Sequence, residues 1–86
     1  MHVVELAFDN DDDRRLAARP AHRERLRRAH ADGRLVLAGP LAGDTGALLV
    51  FDLDADATAA ELAADPYYTV PGVTVVSVRE WHPVVG

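Results

Sequence analysis

Apolar and polar positions change period several times along the chain, and each change marks an element. From His2 to Phe8, Val4, Leu6 and Phe8 alternate with Glu5 and so predict a strand with one buried face. The acidic stretch Asp9-Asn10-Asp11-Asp12-Asp13 ends it as a loop. A helix is predicted from about Pro20, since proline suits the first helical turn, to Gly33, a residue favoured just past a helix end. Leu16 to Arg19 reads either as a turn before that helix or as its early part. Arg34–Leu41 and Ala47–Leu53 are apolar on consecutive positions, the pattern of strands covered on both faces. Between them, Ala42-Gly43-Asp44-Thr45-Gly46 has the composition of a hairpin turn.

A second helix is predicted from about Ala55 to Ala64, capped by Asp54 or Asp56 and broken at Pro66. Tyr67 to Gly72 is a connection. A last strand runs from Val73 to about His82, with Val73 and Val75 on one face and Val76 and Val78 on the other. The order β-α-β-β-α-β is the split βαβ, or ferredoxin-like, arrangement: an α+β fold with a four-stranded antiparallel sheet. Two short helices cover one face of such a sheet. The other face needs a partner, and a second copy of the chain supplies it economically.

Composition supports that expectation. The 86 residues make one domain, 1–86, and a chain this short buries only ~60–65% of the surface it exposes when unfolded. There is no cysteine, hence no disulfide or cysteine zinc site to add stability. No apolar run reaches the ~20 residues of a membrane span and no charged-then-apolar leader opens the chain, so a cytoplasmic protein is expected.

Charge changes the picture less than it first suggests. All nine basic residues are arginine, and seven lie between Arg14 and Arg28 within a chain of net charge −5. An arginine stripe can track phosphates. Net acidity and the lack of interleaved aromatic residues argue instead for a solvated helix face, with no nucleic-acid partner. His2, His30 and His82 have no spacing typical of metal ligands, and no metal site is expected.

Two residues carry candidate chemistry. His22 stands one turn before Leu26 and faces the sheet with it and Ala29, while Arg23, Arg25, Arg27 and Arg28 lie largely around the other side. In a first turn beginning at Pro20, the helix dipole and partial burial would both favour neutral imidazole, able to accept a proton. Asp65 follows the core residue Leu62 by three and also leans inward. The two helices flank each other on one side of the sheet, which makes contact between His22 and Asp65 plausible. Gly39 and Pro40 break the second strand, either to let a ligand approach the backbone or as a bulge or bend that helps close a barrel. Tyr67 either donates to a substrate oxygen or covers the edge of the core.

Arg19-Pro20-Ala21-His22, Gly33-Arg34-Leu35, Ala38-Gly39-Pro40-Leu41 and Asp65-Pro66-Tyr67 before a valine strand together resemble the YciI-like (YCII-related) family, over essentially the whole chain. Each motif is short; four in order at compatible spacing are fairly specific. The resemblance implies a dimeric α+β barrel, the superfamily of muconolactone isomerase-like enzymes, with the sheets of a homodimer packed face to face. It also implies a pocket beside a His/Asp pair, falling on His22 and Asp65. One branch resembles a dehydrochlorinase of a chlorinated hydroxyhydroquinone, which would be proton transfer without a cofactor. The run Asp11-Asp12-Asp13-Arg14-Arg15 departs from the pattern.

Two functions follow as expectations. The first is a cofactor-independent isomerase, lyase or dehydrochlorinase acting on a small aromatic or enolisable metabolite. In it His22 and Asp65 are catalytic, and Tyr67, Gly39 and Pro40 contact substrate. The alternative is a non-catalytic metabolite-binding or dimerisation module, because ferredoxin-like folds host many unrelated activities.

Overall fold

The computed structural model describes residues 1–9 and 12–86. Strand β1 (His2–Phe8) leads to helix α1 (Asp13–Ala31), followed by β2 (Leu35–Pro40) and β3 (Gly46–Phe51). Helix α2 (Ala55–Ala64) and strand β4 (Val73–Glu80) complete the chain. All strand pairings are antiparallel, in the order β2-β3-β1-β4, which is the expected ferredoxin-like α+β fold. Among the described residues no helix is long and apolar enough to cross a membrane.

Strand pairing sorts the side chains into two faces. Val4 stands opposite Leu49 and Leu6 opposite Ala47, and these inward residues join Leu35, Phe51, Ala29, Tyr67 and Tyr68 in one core. Val4, Leu6, Leu49 and Phe51 are almost wholly removed from water, each worth about 1.5–3 kcal/mol of transfer free energy. Both helices pack on this side, with Leu26 and Leu62 half-buried against the core and Thr58 the fully buried residue of α2. The opposite face carries Val3, Leu37, Leu48 and Val50, of which Leu37 is 60% exposed. Val50 there is only 6% exposed, while Leu37 and Leu48 stay open to solvent.

Helix α1 begins seven residues earlier than Pro20 predicts. Asp12 caps it by accepting a hydrogen bond from the Arg14 amide at 2.9 Å. The acidic run therefore stops being loop at Asp13, while Asn10 and Asp11 lie outside the described residues. Pro20 sits inside the helix and deprives the Leu16 carbonyl of its partner. Contacts made by the first two turns outweigh that loss: Arg15 is buried, lies 4.3 Å over the Phe8 ring and pairs with Asp44 at 3.1 Å. The far end behaves as expected, with Asp32 as cap and Gly33 at φ +84°.

The other boundaries shift by a residue or two, and Asp54 caps α2 through the Ala57 amide at 2.7 Å. The connection after α2 contains a short 3-10 turn, Pro66–Thr69. Two irregularities change which side chains share a face. The β1–β4 register shifts between Glu5 and Leu6, so Val75 opposes Leu6 while Val78, not Ser77, opposes Val4. Val78 is thus aligned with Val75 rather than opposed to it. In β2 the register shifts between Leu35 and Leu37. The irregularity falls at Val36, and Gly39 and Pro40 pair regularly with Leu48 and Ala47. The bulge reading of those two residues is overturned.

Candidate functional site

With α1 starting at Asp13, His22 lies in mid-helix and gains nothing from the helix N-terminus, contrary to the expectation from Pro20. Its inward direction comes from spacing: Arg15, His22 and Ala29 recur every seven residues, about two helical turns, and are the buried residues of α1. Asp65 closes α2 and opens the following 3-10 turn. One carboxylate oxygen, Oδ1, accepts the Tyr67 amide at 3.0 Å. The other, Oδ2, stands 2.7 Å from His22 Nδ1.

This contact sets the tautomer. An ionised carboxylate only accepts, so Nδ1 carries the proton that bonds it, and Nε2 is left as an acceptor. His22 is 7% exposed and Asp65 5%, so the pair is withdrawn from solvent. The Tyr67 ring stacks on the imidazole, 3.9 Å between centroids and 8° from parallel, while Tyr68 meets it edge-on at 5.3 Å. Burial pushes the His22 pKa below its ordinary 6.5; the Asp65 hydrogen bond and charge oppose the shift, and Arg23 adds to it. Neutral imidazole therefore prevails near pH 7. Burial also pushes the Tyr68 hydroxyl up, which keeps it protonated.

In front of the pair opens a cavity of about 560 Å³, within the range of small-metabolite sites. Its walls come from α1, from residues 35–40 of β2, and from Phe8, Asp44, Ala47, Leu49 and Tyr67. His22 lines it and Asp65 does not, so Nε2, on the ring edge away from Asp65, is the nitrogen offered to the cavity. Gly39 and Pro40 line the same space from the strand side. A Cβ added at Gly39 would meet nothing within 4 Å, so packing does not demand glycine there. The five residues singled out from sequence thus gather in one place: four on the cavity wall, and Asp65 behind His22. Among the described residues, no group of three or more His, Asp or Glu side chains is arranged to hold a metal ion.

Sequence reasoning missed other parts of the site. Leu26 packs half-buried against the core as expected, but it also lines the cavity. Arg23 and Arg27, expected on the far side of α1, line it too, with Arg19. Arg15 was hidden by the misplaced helix start; its seven-residue spacing from His22 is the signal that could have found it. Burial works against its charge, but the neighbouring Tyr67 hydroxyl and the Asp44 carboxylate outweigh that and hold the guanidinium pKa above its usual value. Nε and Nη1 of Arg15 have no hydrogen-bond partner among the described residues, and the Phe8 ring face takes their place.

A ferredoxin-like sheet with a cavity between α1 and β2, and a buried histidine hydrogen-bonded to aspartate beside it, defines the class: a small α+β protein of ferredoxin-like fold. Residues 1–82 match the YCII-related domain, and the chain belongs to that family. It is similar to Protein YciI of Escherichia coli O6:H1 and to Protein YciI of Shigella flexneri. Each is 35% identical over 97 aligned positions that cover 98% of this chain and 99% of the relative.

Proposed function

We propose that this protein is a cofactor-independent enzyme of isomerase or lyase type, dehydrochlorination included, acting on a small enolisable or aromatic metabolite. The observation that carries the reading is the 2.7 Å contact from His22 Nδ1 to buried Asp65, which leaves a neutral Nε2 on the cavity side. Nε2 takes a proton from an acidified carbon of the substrate, and the electrons of that C–H bond pass into an enolate. They return either by protonation at a second carbon, the proton coming back from the imidazolium, or by expulsion of a leaving group. Asp65 holds the ring in place and stabilises the transient imidazolium. Tyr67, Gly39 and Pro40 are the proposed substrate contacts.

The test begins with a metabolite library screened by thermal shift, since any specific ligand stabilises the fold by mass action. Ligands that bind are then incubated with the protein in D2O and followed by proton NMR. The enzyme reading expects at least one to exchange a carbon-bound proton or to be converted. Ligands that bind and remain unchanged would make the protein a metabolite-binding module instead.

The active form is proposed to be a homodimer joined through the open sheet face. Leu37 and Leu48 make that face apolar, and a monomer would leave them wet. Sedimentation at micromolar concentration is expected to give twice the chain mass of 9.3 kDa. A clean monomer contradicts the arrangement.

A further inference from the structure

The charge around the cavity is one-sided. Arg19, Arg23 and Arg27 follow one another at four-residue intervals, so a single strip of α1 presents three guanidinium groups along the cavity. Among the described residues the one carboxylate on the wall, Asp44, is already engaged by Arg15 at 3.1 Å and Arg19 at 3.6 Å. Arg27 has Glu24 at 3.3 Å, one turn back and largely in solvent. Arg23 has no carboxylate within 4.0 Å among the described residues. Like charges placed side by side on a helix are unfavourable, and a chain of net charge −5 has acids enough to separate them. Here they border a cavity whose opposite wall, Leu35, Ala38 and Leu49, is aliphatic. A basic edge facing an apolar wall matches a molecule with an anionic head and an apolar body.

We propose that the cavity binds a small organic acid, its carboxylate paired with Arg23 and its apolar body laid against Ala38 and Leu49 toward His22. This rests on the reading of the cavity as the substrate site and names the substrate class. A guanidinium presents a planar fork of donors that matches a carboxylate, and near an apolar wall that pairing is less screened than in open water. The anion also has an effect on chemistry. Arg23 disfavours protonation of His22, and a carboxylate bound at Arg23 cancels that influence, making the imidazole a stronger base once substrate is in place.

The experiment uses benzoate and phenylacetate as probes, with benzamide, phenylacetamide and phenyl phosphate as controls, each to about 10 mM, a range suited to ligands of so few atoms. Melting temperature and calorimetry are read for the native protein, Arg23→Gln and His22→Asn. At least one of the two acids is expected to bind, to weaken as salt rises, and to lose about tenfold or more in affinity in Arg23→Gln, the loss expected for a charge-assisted hydrogen bond. It is also expected to move the His22 titration upward. Equal binding of the amides, preference for phenyl phosphate, unchanged affinity in Arg23→Gln, or no binding by either acid overturns the inference. His22→Asn keeps the arginines and so is expected to keep the preference for the acids over the amides. The inference survives if acids bind but none is ever turned over, and the proton-transfer reading survives if only neutral substrates react, so the two fail separately.

Discussion

Replacing His22 by asparagine is expected to lower turnover by about 10²–10⁴-fold, whichever substrate proves correct, while the chain stays folded. The substitution is chosen for its geometry. The asparagine amide nitrogen falls near the place of imidazole Nδ1, so it can still donate to Asp65, which otherwise would be a buried carboxylate without its 2.7 Å partner. What it removes is Nε2, the atom offered to the cavity. The stack on Tyr67 is lost as well, and some stability with it. A steady-state turnover assay, together with circular dichroism of the same sample, separates the two effects. If the variant is unfolded, or folded and fully active, His22 is a packing residue and the proposed reaction loses its base.

Asp65→Asn is expected to have an effect of similar size by a different route. The carboxylate offers two acceptor oxygens and an amide side chain offers one, while the Tyr67 amide already requires an acceptor from position 65 at 3.0 Å. With the single carbonyl oxygen of the substituted side chain kept there, its NH2 group meets His22 Nδ1. The imidazole then accepts at Nδ1 and carries its proton on Nε2, the reverse of the working tautomer. In the Ser-His-Asp template the same exchange costs on the order of 10⁴ in rate through the wrong tautomer, and a loss of about 10²–10⁴ is expected here. The charge is lost too. Asp65 raises the His22 pKa against burial, so its removal lets burial push that pKa lower still. The sign for stability follows. A histidine whose folded pKa lies below its ordinary 6.5 contributes its full stability above that pH, and the contribution falls away as pH drops toward the folded pKa. Asp65→Asn widens this acid-sensitive window, so the variant is expected to lose more stability than the native protein as pH falls below 6.5.

How much of this was legible in the sequence depends on how local each signal is. The alternation of Val4, Leu6 and Phe8 and the span of α2 could be read directly, because burial on one face and capping by Asp54 act within a few residues. The inward placement of His22 and Asp65 was also readable, since each shares a helical spacing with an apolar neighbour. The start of α1 was not. Its inner face carries Arg15 and His22 where a core helix ordinarily carries leucine, so no apolar period announced the first two turns, and Pro20 offered a stronger local signal for the wrong place. The burial of Arg15 depends on Phe8 and Asp44, which are distant in sequence. The shifts at Val36 and Val76 are of the same kind, because register is set by the partner strand as well as by the strand itself. The role of the arginines stayed hidden for a related reason. Arg19, Arg23 and Arg27 look like a solvated face until β2 is seen to stand opposite them.

The central claim is that Asp65 holds His22 as a neutral base with Nε2 free. Long-range nitrogen–proton correlation spectra of the His22 imidazole, recorded through a pH titration of the native protein and of Asp65→Asn, test it most directly. The account predicts a native ring protonated on Nδ1 with a midpoint below 6.5, and an Asp65→Asn ring protonated on Nε2 with a midpoint lower still. A native ring protonated on Nε2, or a midpoint that Asp65→Asn leaves unmoved, would contradict it.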